Sequence, residues 1–371
     1  MTTAPLVTVL MAVYNGGEYL KSSIQSVLNQ SYKDFEFLIV NDCSTDDSVK
    51  TIESFNDARI IIHHNEKNMG QTKSLNVGLK LARGKYVARM DADDMAFPSW
   101  LDKLVSCFEK NPEYAVIGAA AVVIDDTGRK KEIRRAPISF NDIIFRIFFA
   151  PPVNHVSVLM NKDIILKMGG YDKEFKITQD YELWSQLIRR DYSITNIPNI
   201  LVSYRVHSQS IGFRESNNRG LQEKSKTIFR NINALTNLRL RYEEAIELCK
   251  FFYHTPELTD EQFLHAENNF NLIYKNVKDK FKLPQNFLIN GIKNQMLKPY
   301  CKLAIFEVQN NRIEKARNIT LEYCRKYGYH ILPFGIFLTT YTGHRLSKRI
   351  PFIYGKGLEM FTNIFLKLRL S

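Results

Sequence analysis

The 371-residue sequence has no stretch of the ~20 apolar residues that a bilayer-crossing helix requires. Its longest candidate, Ile331 to Tyr341, is about half that length and is broken by Pro333 and Gly335. Cysteine is scarce and odd in number: Cys43, Cys107, Cys249, Cys301 and Cys324 lie far apart, with no CxxC pair or zinc spacing. That excludes a disulfide scaffold and predicts free thiols in a reducing compartment. No basic segment followed by an apolar run and a small-residue cleavage site opens the chain, so secretion is not expected. No GxGxxG follows the first apolar run and no GxxxxGK[ST] occurs anywhere, which disfavours dinucleotide oxidoreductases and P-loop enzymes. There is no internal repeat and no clean heptad.

Acidic residues are in short supply in only one half. The formal net charge is +12. Residues 1–214 carry +1 of it, and residues 215–371 carry +11. The length suggests two domains, and a composition of 44% hydrophobic and 12% aromatic residues suffices for a buried core. Disorder and collagen-like repeats are excluded.

The first half alternates short apolar runs with helical periodicity, the pattern of a parallel sheet with crossover helices. Strands are expected at Leu6–Val13, Phe35–Val40, Ile60–Ile62 and Tyr86–Met90. Helices are expected over Glu18–Asn29, over Val49, Ile52 and Phe55, and over Gln71–Ala82, where Leu75, Leu79 and Ala82 share a face. A helix at Trp100–Phe108, strands at Val116–Ile124 and Val156–Met160, a helix at Asp180–Arg189 and an edge strand at Ile200–Val206 follow. Beyond Arg214 the alternation gives way to polar-apolar helical stretches. The expected architecture is therefore α/β, a doubly wound, mostly parallel sheet over residues 1–214, followed by a basic, mainly helical region at 215–371.

In an open α/β sheet, ligands bind at the carboxyl ends of the strands. Asp91-Ala92-Asp93-Asp94 stands directly after a buried strand. A DxD spacing there directs two carboxylates to one side, suited to a hard divalent cation that also takes substrate phosphates. The same cluster also reads as a solvated acidic turn. Asp42 ends the second strand, where it reads either as an acceptor for a nucleobase N–H or as a loop acid beside Ser44 and Thr45. Asn15 ends the first, so three of the first four strands terminate in polar groups on one rim.

Tyr14-Asn15, Asn41-Asp42-Cys43-Ser44-Thr45-Asp46, Asn68-Met69-Gly70 with Ser74 to Leu79, and Met90 to Asp94 occur in that order. Together they resemble the signatures of family 2 inverting glycosyltransferases with the GT-A fold, over roughly residues 5–213. The resemblance implies a nucleotide-sugar donor, usually a UDP-sugar, and a divalent metal, Mn2+ or Mg2+. It also implies that Tyr14 and Asn15 line the donor site, that Asp42 contacts the nucleobase, that Asp91 lies on the ribose or diphosphate side, and that Asp93 binds the metal. Gly169-Gly170-Tyr171-Asp172 and Thr178 to Trp184 are similar to the family's acceptor loop and catalytic acid, which makes Asp180 the general base of a single in-line displacement. Asp180 reads equally as a helix N-cap. The family often has an acid before this position, where this sequence has Gln179. Tyr204-Arg205-Val206-His207-Ser208 resembles the segment that closes the site, in which His207 is a metal ligand or an ordinary polar residue. Asn154 to Val158 matches a stretch near the acceptor, with packing the expected role of His155. Processive synthases of the superfamily add transmembrane helices and a QxxRW motif. Here Gln186 to Arg189 is followed by Arg190, which favours addition of one sugar or a short segment.

The basic region lies outside the resemblance. Leu358, Phe361, Ile364, Phe365 and Leu368 form one helical face flanked by Lys356, Lys367 and Arg369, and a second apolar-then-basic block runs from Ile331 to Arg349. Such helices lie on an anionic membrane surface or dock on their own domain. The charge is too diffuse for a nucleic-acid site. The expectation is a metal-dependent inverting glycosyltransferase acting on a glycan or lipid-linked acceptor, cytoplasmic and peripheral on the inner face of the cell membrane. A catalytically inactive glycan- or membrane-binding module and a sugar-phosphate nucleotidyltransferase are the alternatives.

Overall fold

The computed structural model describes residues 4–207, 210, 218–284, 299–304, 306, 307, 310 and 312–327. Two compact units divide at Asn237/Leu238.

In the first unit the strands are β1 (Val7–Val13), β2 (Phe35–Asn41), β3 (Ile60–His64), β4 (Tyr86–Met90), β5 (Met95–Ala96), β6 (Tyr114–Ile124), β7 (Lys130–Arg134), β8 (Leu159–Asn161) and β9 (Ser193–Arg205). The helices are α1 (Leu20–Leu28), α2 (Ser48–Glu53), α3 (Gln71–Leu81), α4 (Trp100–Lys110), α5 (Phe140–Arg146), α6 (Lys162–Lys167), α7 (Gln179–Arg189) and α8 (Arg219–Leu235). All nine strands join one sheet in the order β3-β2-β1-β4-β8-β6-β9-β5, with β7 on β6. β1 lies parallel to β2 and β4, and β2 parallel to β3. β2 and β4 are buried along their whole length and β1 at every residue but Ala12, as expected of largely apolar strands covered on both faces. Helix α4 buries Trp100, Leu101, Leu104, Val105 and Phe108 against the sheet, each contributing about 1.5–3 kcal/mol of transfer free energy.

The parallel half matches the periodicity closely, whereas the other half differs in three places. Val156–Met160 is not one strand: residues His155–Ser157 form a 3-10 turn, and only Leu159–Asn161 pair, antiparallel to both β4 and β6. The strand at Ile200–Val206 begins earlier, at Ser193, and is not at the edge, because the two-residue β5 pairs outside it. Pro198 lacks an N–H, and the ladder steps from Ile197 to Ile200 to pass over it. Finally, α8 lies beyond residue 214, yet it packs on α7 within the first unit.

In the second unit, α9 (Tyr242–Tyr253), α10 (Asp260–Phe281) and α11 (Ile313–Tyr327) are the long helices among the described residues. Thr259 caps α10 through a reciprocal pair with Gln262. Ala245, Leu248, Phe251, Phe263, Phe270 and Tyr323 are buried. The buried Glu267 accepts from the Tyr300 hydroxyl at 2.8 Å and from Lys326 at 2.7 Å. This region is helical, as expected. The two apolar-basic blocks at 331–349 and 356–369 lie outside the described residues. Among the described residues, no helix is long and apolar enough to cross a membrane.

Candidate active site

The carboxyl ends of β1, β2 and β4 open on a cleft of about 1080 Å³. Tyr14, Asn15, Asp42, Asp91, Asp93, Asp180 and His207 all line it, so every residue singled out by sequence reaches one cavity.

Its floor is two loops stitched together. Asn15 adopts φ 51°, a left-handed conformation that asparagine tolerates better than most residues. This turns the Asn15 Oδ1 to accept from the Thr45 N–H at 2.8 Å, while the Gly16 N–H donates to Ser48 Oγ at 2.8 Å. Asp42 is 2% exposed. Its Oδ1 accepts from Asn65 Nδ2 at 2.8 Å and the Met69 N–H at 2.9 Å, and its Oδ2 accepts from the Gly70 N–H at 2.8 Å. Asp42 therefore ties the loop before α3 to the end of β2, a task additional to the base contact implied by the resemblance. Asn76 of α3 exchanges two 2.8 Å bonds with the backbone of Tyr171. At Gly170, φ is 75° and a Cβ would approach Asn76 Oδ1 to 2.3 Å. The Ser74–Leu79 and Gly169–Asp172 motifs, nearly a hundred residues apart, are thus two sides of one joint.

The acid cluster forms the cleft's centre of charge. Ligating oxygens of Asp91, Asp93 and Asp94 lie within 4.8 Å of one another. Asp91 is ion-paired with the buried Arg89 and accepts from Gln71 Nε2 at 3.1 Å. Burial pushes its pKa up to about 6; Arg89 opposes the rise, and the charges of Asp93 and Asp180 add to it. Asp93 Oδ2 meets His207 Nε2 at 2.9 Å. Asp94, fully buried, accepts the Arg205 N–H at 2.7 Å on Oδ1, while its Oδ2 has no partner. Burial, and then the charges of Asp93 and Asp91, hold Asp94 well above the usual carboxylate range. An orphaned buried oxygen beside two further carboxylates and an imidazole is an oxygen-rich set that fits a hard divalent cation. Asp94 was not singled out as a ligand by sequence, although it stands in the same motif.

Asp180 lies in the first turn of α7, with Thr178 at the N-cap position but making no side-chain capping bond. Burial raises the Asp180 pKa, and the Tyr181 backbone N–H opposes the rise. Gln179 meets Gln71 side chain to side chain at 2.9 Å. His155 bonds the Tyr171 hydroxyl at 2.8 Å and stacks edge-on against Trp184. Burial, assisted by Arg89, keeps it neutral by depressing its pKa. Sequence reasoning also left unassigned Tyr19 and Arg205. The Arg205 guanidinium sits 4.3 Å over the Tyr19 ring and donates to the Asp93 carbonyl at 3.1 Å. The ring of His207 packs at 5.3 Å on the same tyrosine.

A family model described as glycosyl transferase family 2 matches residues 8–170. An uncharacterized glycosyltransferase of Haemophilus influenzae is 31% identical over 267 residues, covering 68% of this chain and 82% of the relative. The amylovoran biosynthesis glycosyltransferase AmsE of Erwinia amylovora is 32% identical over 211 residues, 56% of this chain and 79% of that one. Among solved structures, S. aureus TarS 1-349 in complex with UDP-GlcNAc superposes with a TM-score of 0.54 at 16% identity, covering 88% of this chain and 93% of TarS 1-349. That likeness is one of fold, a mixed sheet of GT-A type with a helical C-terminal region. With its ordered motifs gathered on one cleft, this chain belongs to glycosyltransferase family 2.

Proposed function

We propose that the protein transfers a sugar from a nucleotide-sugar donor, a UDP-sugar in the first instance, to a hydroxyl of a glycan or lipid-linked glycan, with inversion at the anomeric carbon. The observation that carries this reading is the placement of Asp180 on the same cleft as Asp91 and Asp93, with Asp94 buried next to them. One carboxylate stands at a helix start while the others gather around an oxygen-rich pocket.

The donor nucleoside would lie over Tyr14, Asn15 and the Asp42 loop. The cleft is rich in carboxylates, and the three arginines that line it are engaged, Arg89 with Asp91, Arg205 with backbone carbonyls, and Arg134 with the Tyr204 ring and Glu132. A diphosphate entering it meets net repulsion unless a cation is present. Asp93, His207 and Asp94, with Asp91 beside them, are the residues that would hold Mn2+ or Mg2+. Such a cation supplies neutralisation of the charge that develops on the departing nucleoside diphosphate. Asp180 takes the proton from the acceptor hydroxyl as its oxygen attacks the anomeric carbon from the face opposite the leaving group. A raised pKa makes Asp180 a stronger base than an exposed aspartate. The neutral His155 lines the cleft, held from behind by the buried Tyr171 hydroxyl.

The relative named for amylovoran biosynthesis supports a growing glycan as acceptor, and the UDP-GlcNAc complex of TarS supports a uridine nucleotide. The +11 charge of residues 215–371 supports a peripheral position on an anionic membrane, as a cytoplasmic enzyme. The test is incubation with a panel of UDP-, GDP- and dTDP-sugars with Mn2+, Mg2+ or EDTA, following release of free nucleotide. One donor should turn over slowly with metal and not with EDTA. Turnover undiminished by EDTA contradicts the metal assignment, and no turnover with any donor favours a binding module.

A further inference from the structure

We infer that Glu223 of α8 is a positioning residue for transfer, setting the chain that carries the general base. The inference rests on the role proposed above for Asp180. Residues 171–178 run from the acceptor-side joint at Tyr171 to the start of α7, and Ile177, Gln179 and Asp180 face the cleft. This stretch is loop, so its backbone donors need partners from elsewhere. A single carboxylate supplies three of them. Glu223, 7% exposed, accepts the Lys176 N–H on Oε1 and the Ile177 and Thr178 N–H groups on Oε2, each at 2.9 Å. The Thr178 hydroxyl joins them at 3.3 Å, and Arg219 pairs with the carboxylate at 3.3 Å.

A carboxylate that collects three consecutive N–H groups fixes the path of the backbone two residues before Asp180, where the helix axis and the direction of the Asp180 side chain are set. The rest of α8 holds the same segment more loosely. Arg230 reaches Asp172 at 3.1 Å and Glu174 at 3.3 Å, and Lys226 reaches Glu174 at 2.6 Å. Further along, Thr227 and Arg230 bond the buried Glu182, and Asn231 bonds Ser185 and the Ile147 carbonyl. These later contacts fasten α8 to the body of α7 and do not touch the loop. Glu223 holds the three backbone N–H groups that lead into the base, while Thr72 of α3 donates to the Phe175 carbonyl at 2.7 Å one residue earlier. Transfer needs Asp180 held to a fraction of an ångström against the acceptor hydroxyl, and a displacement near 1 Å costs about 100-fold in rate. The donor contacts proposed for Tyr14, Asn15 and Asp42 involve none of Lys176, Ile177 and Thr178, the residues that Glu223 holds.

The experiment compares Glu223→Ala, Glu223→Gln, Asn231→Ala and Asp180→Asn in the full chain. It measures kcat for transfer, donor affinity and melting temperature. Glu223→Ala is expected to lower kcat about 10–100-fold with donor affinity within about twofold. Glu223→Gln keeps one accepting oxygen for Ile177 and Thr178 and loses the acceptor for Lys176, so its kcat should fall between Ala and wild type. Asn231→Ala removes bonds from the same interface and is expected to lower the melting temperature as much while leaving kcat within about threefold. If the Glu223 variants show wild-type kcat, or lose kcat only as far as Asn231→Ala does at equal loss of melting temperature, the inference is overturned. If Glu223→Ala does not fold, the Gln variant decides on the same criteria. Asp180→Asn separates the two claims: wild-type turnover in that variant overturns the base assignment and the inference together, whereas its loss beside active Glu223 variants overturns the inference alone.

Discussion

Asp42 offers a sharp division between recognising a ligand and building the place where the ligand sits. Its carboxylate accepts from Asn65, Met69 and Gly70, and hydrogen bonds to a charged group contribute about 1.5–3 kcal/mol each. Their simple sum overstates the loss on Asp42→Ala. Asn65 Nδ2 keeps Ser74 Oγ at 2.9 Å, and the Gly70 N–H keeps Asn68 Oδ1 at 3.1 Å, which leaves the Met69 N–H as the donor with nothing to replace its partner. The expected cost is about 2–4 kcal/mol. For a folding unit of this size that is roughly 4–16 °C in melting temperature by calorimetry. Asp42→Asn retains one acceptor oxygen and should fall between alanine and wild type. Donor affinity should drop with both, because the loop that forms the floor is loosened. A melting temperature within about 2 °C of wild type, with donor affinity lost, would show that Asp42 serves the base alone and refute the anchoring argument.

Three further expectations follow from the same contacts. Glu182 is fully buried and bonded by Arg189, Arg230 and Thr227, so Glu182→Ala should destabilise by about 3–5 kcal/mol, measured by urea unfolding monitored at Trp100 and Trp184; a change under about 1 kcal/mol contradicts it. The rise in melting temperature on adding Mn2+ should grow between pH 5 and 7.5, because a cation must displace the protons that burial holds on Asp91, near pH 6, and on Asp94. The sign follows from the direction of the shift: with folded pKa values above the ordinary 3.8, both carboxyls retain protons at pH 5 that compete with metal, and an increment independent of pH argues against these ligands. Flotation of the full chain with vesicles containing anionic lipid should be strong at low salt and weak at 0.5 M salt, as expected for basic residues near a charged surface; absence of flotation at low salt removes the membrane role.

Much of the cleft was legible in the sequence because its residues occupy strand ends. Val7–Val13, Phe35–Asn41 and Tyr86–Met90 are strong apolar runs, and the polar groups that follow them must share a rim once the strands lie parallel. What was not legible depends on pairing without local signal. The two residues of β5 have no periodicity to read, so β9, interrupted by Pro198, looked like an edge. β8 has three residues, and its place between β4 and β6 follows from the sheet as a whole. Helix α8 falls on the basic side of the expected boundary because the alternation of strands and helices stops at Arg214. Its Leu221, Ile228, Ile232 and Leu235 form a buried apolar stripe, which marks a helix without saying which unit it packs on; Glu223, Thr227, Arg230 and Asn231 supply the polar contacts to the loop before α7 and to α7 itself. Asp94 stood in plain view within the motif, but its burial and orphaned oxygen belong to the folded chain.

The most direct test of the central claim is the rate of sugar transfer by Asp180→Asn with saturating donor, metal and acceptor, alongside its donor affinity. Asparagine preserves the shape at the start of α7 and removes the proton acceptor. The account predicts transfer reduced by about 100-fold or more, with donor affinity unchanged and the wild-type product inverted at the anomeric carbon. Transfer within a few-fold of wild type, or a product with retained configuration, would contradict it.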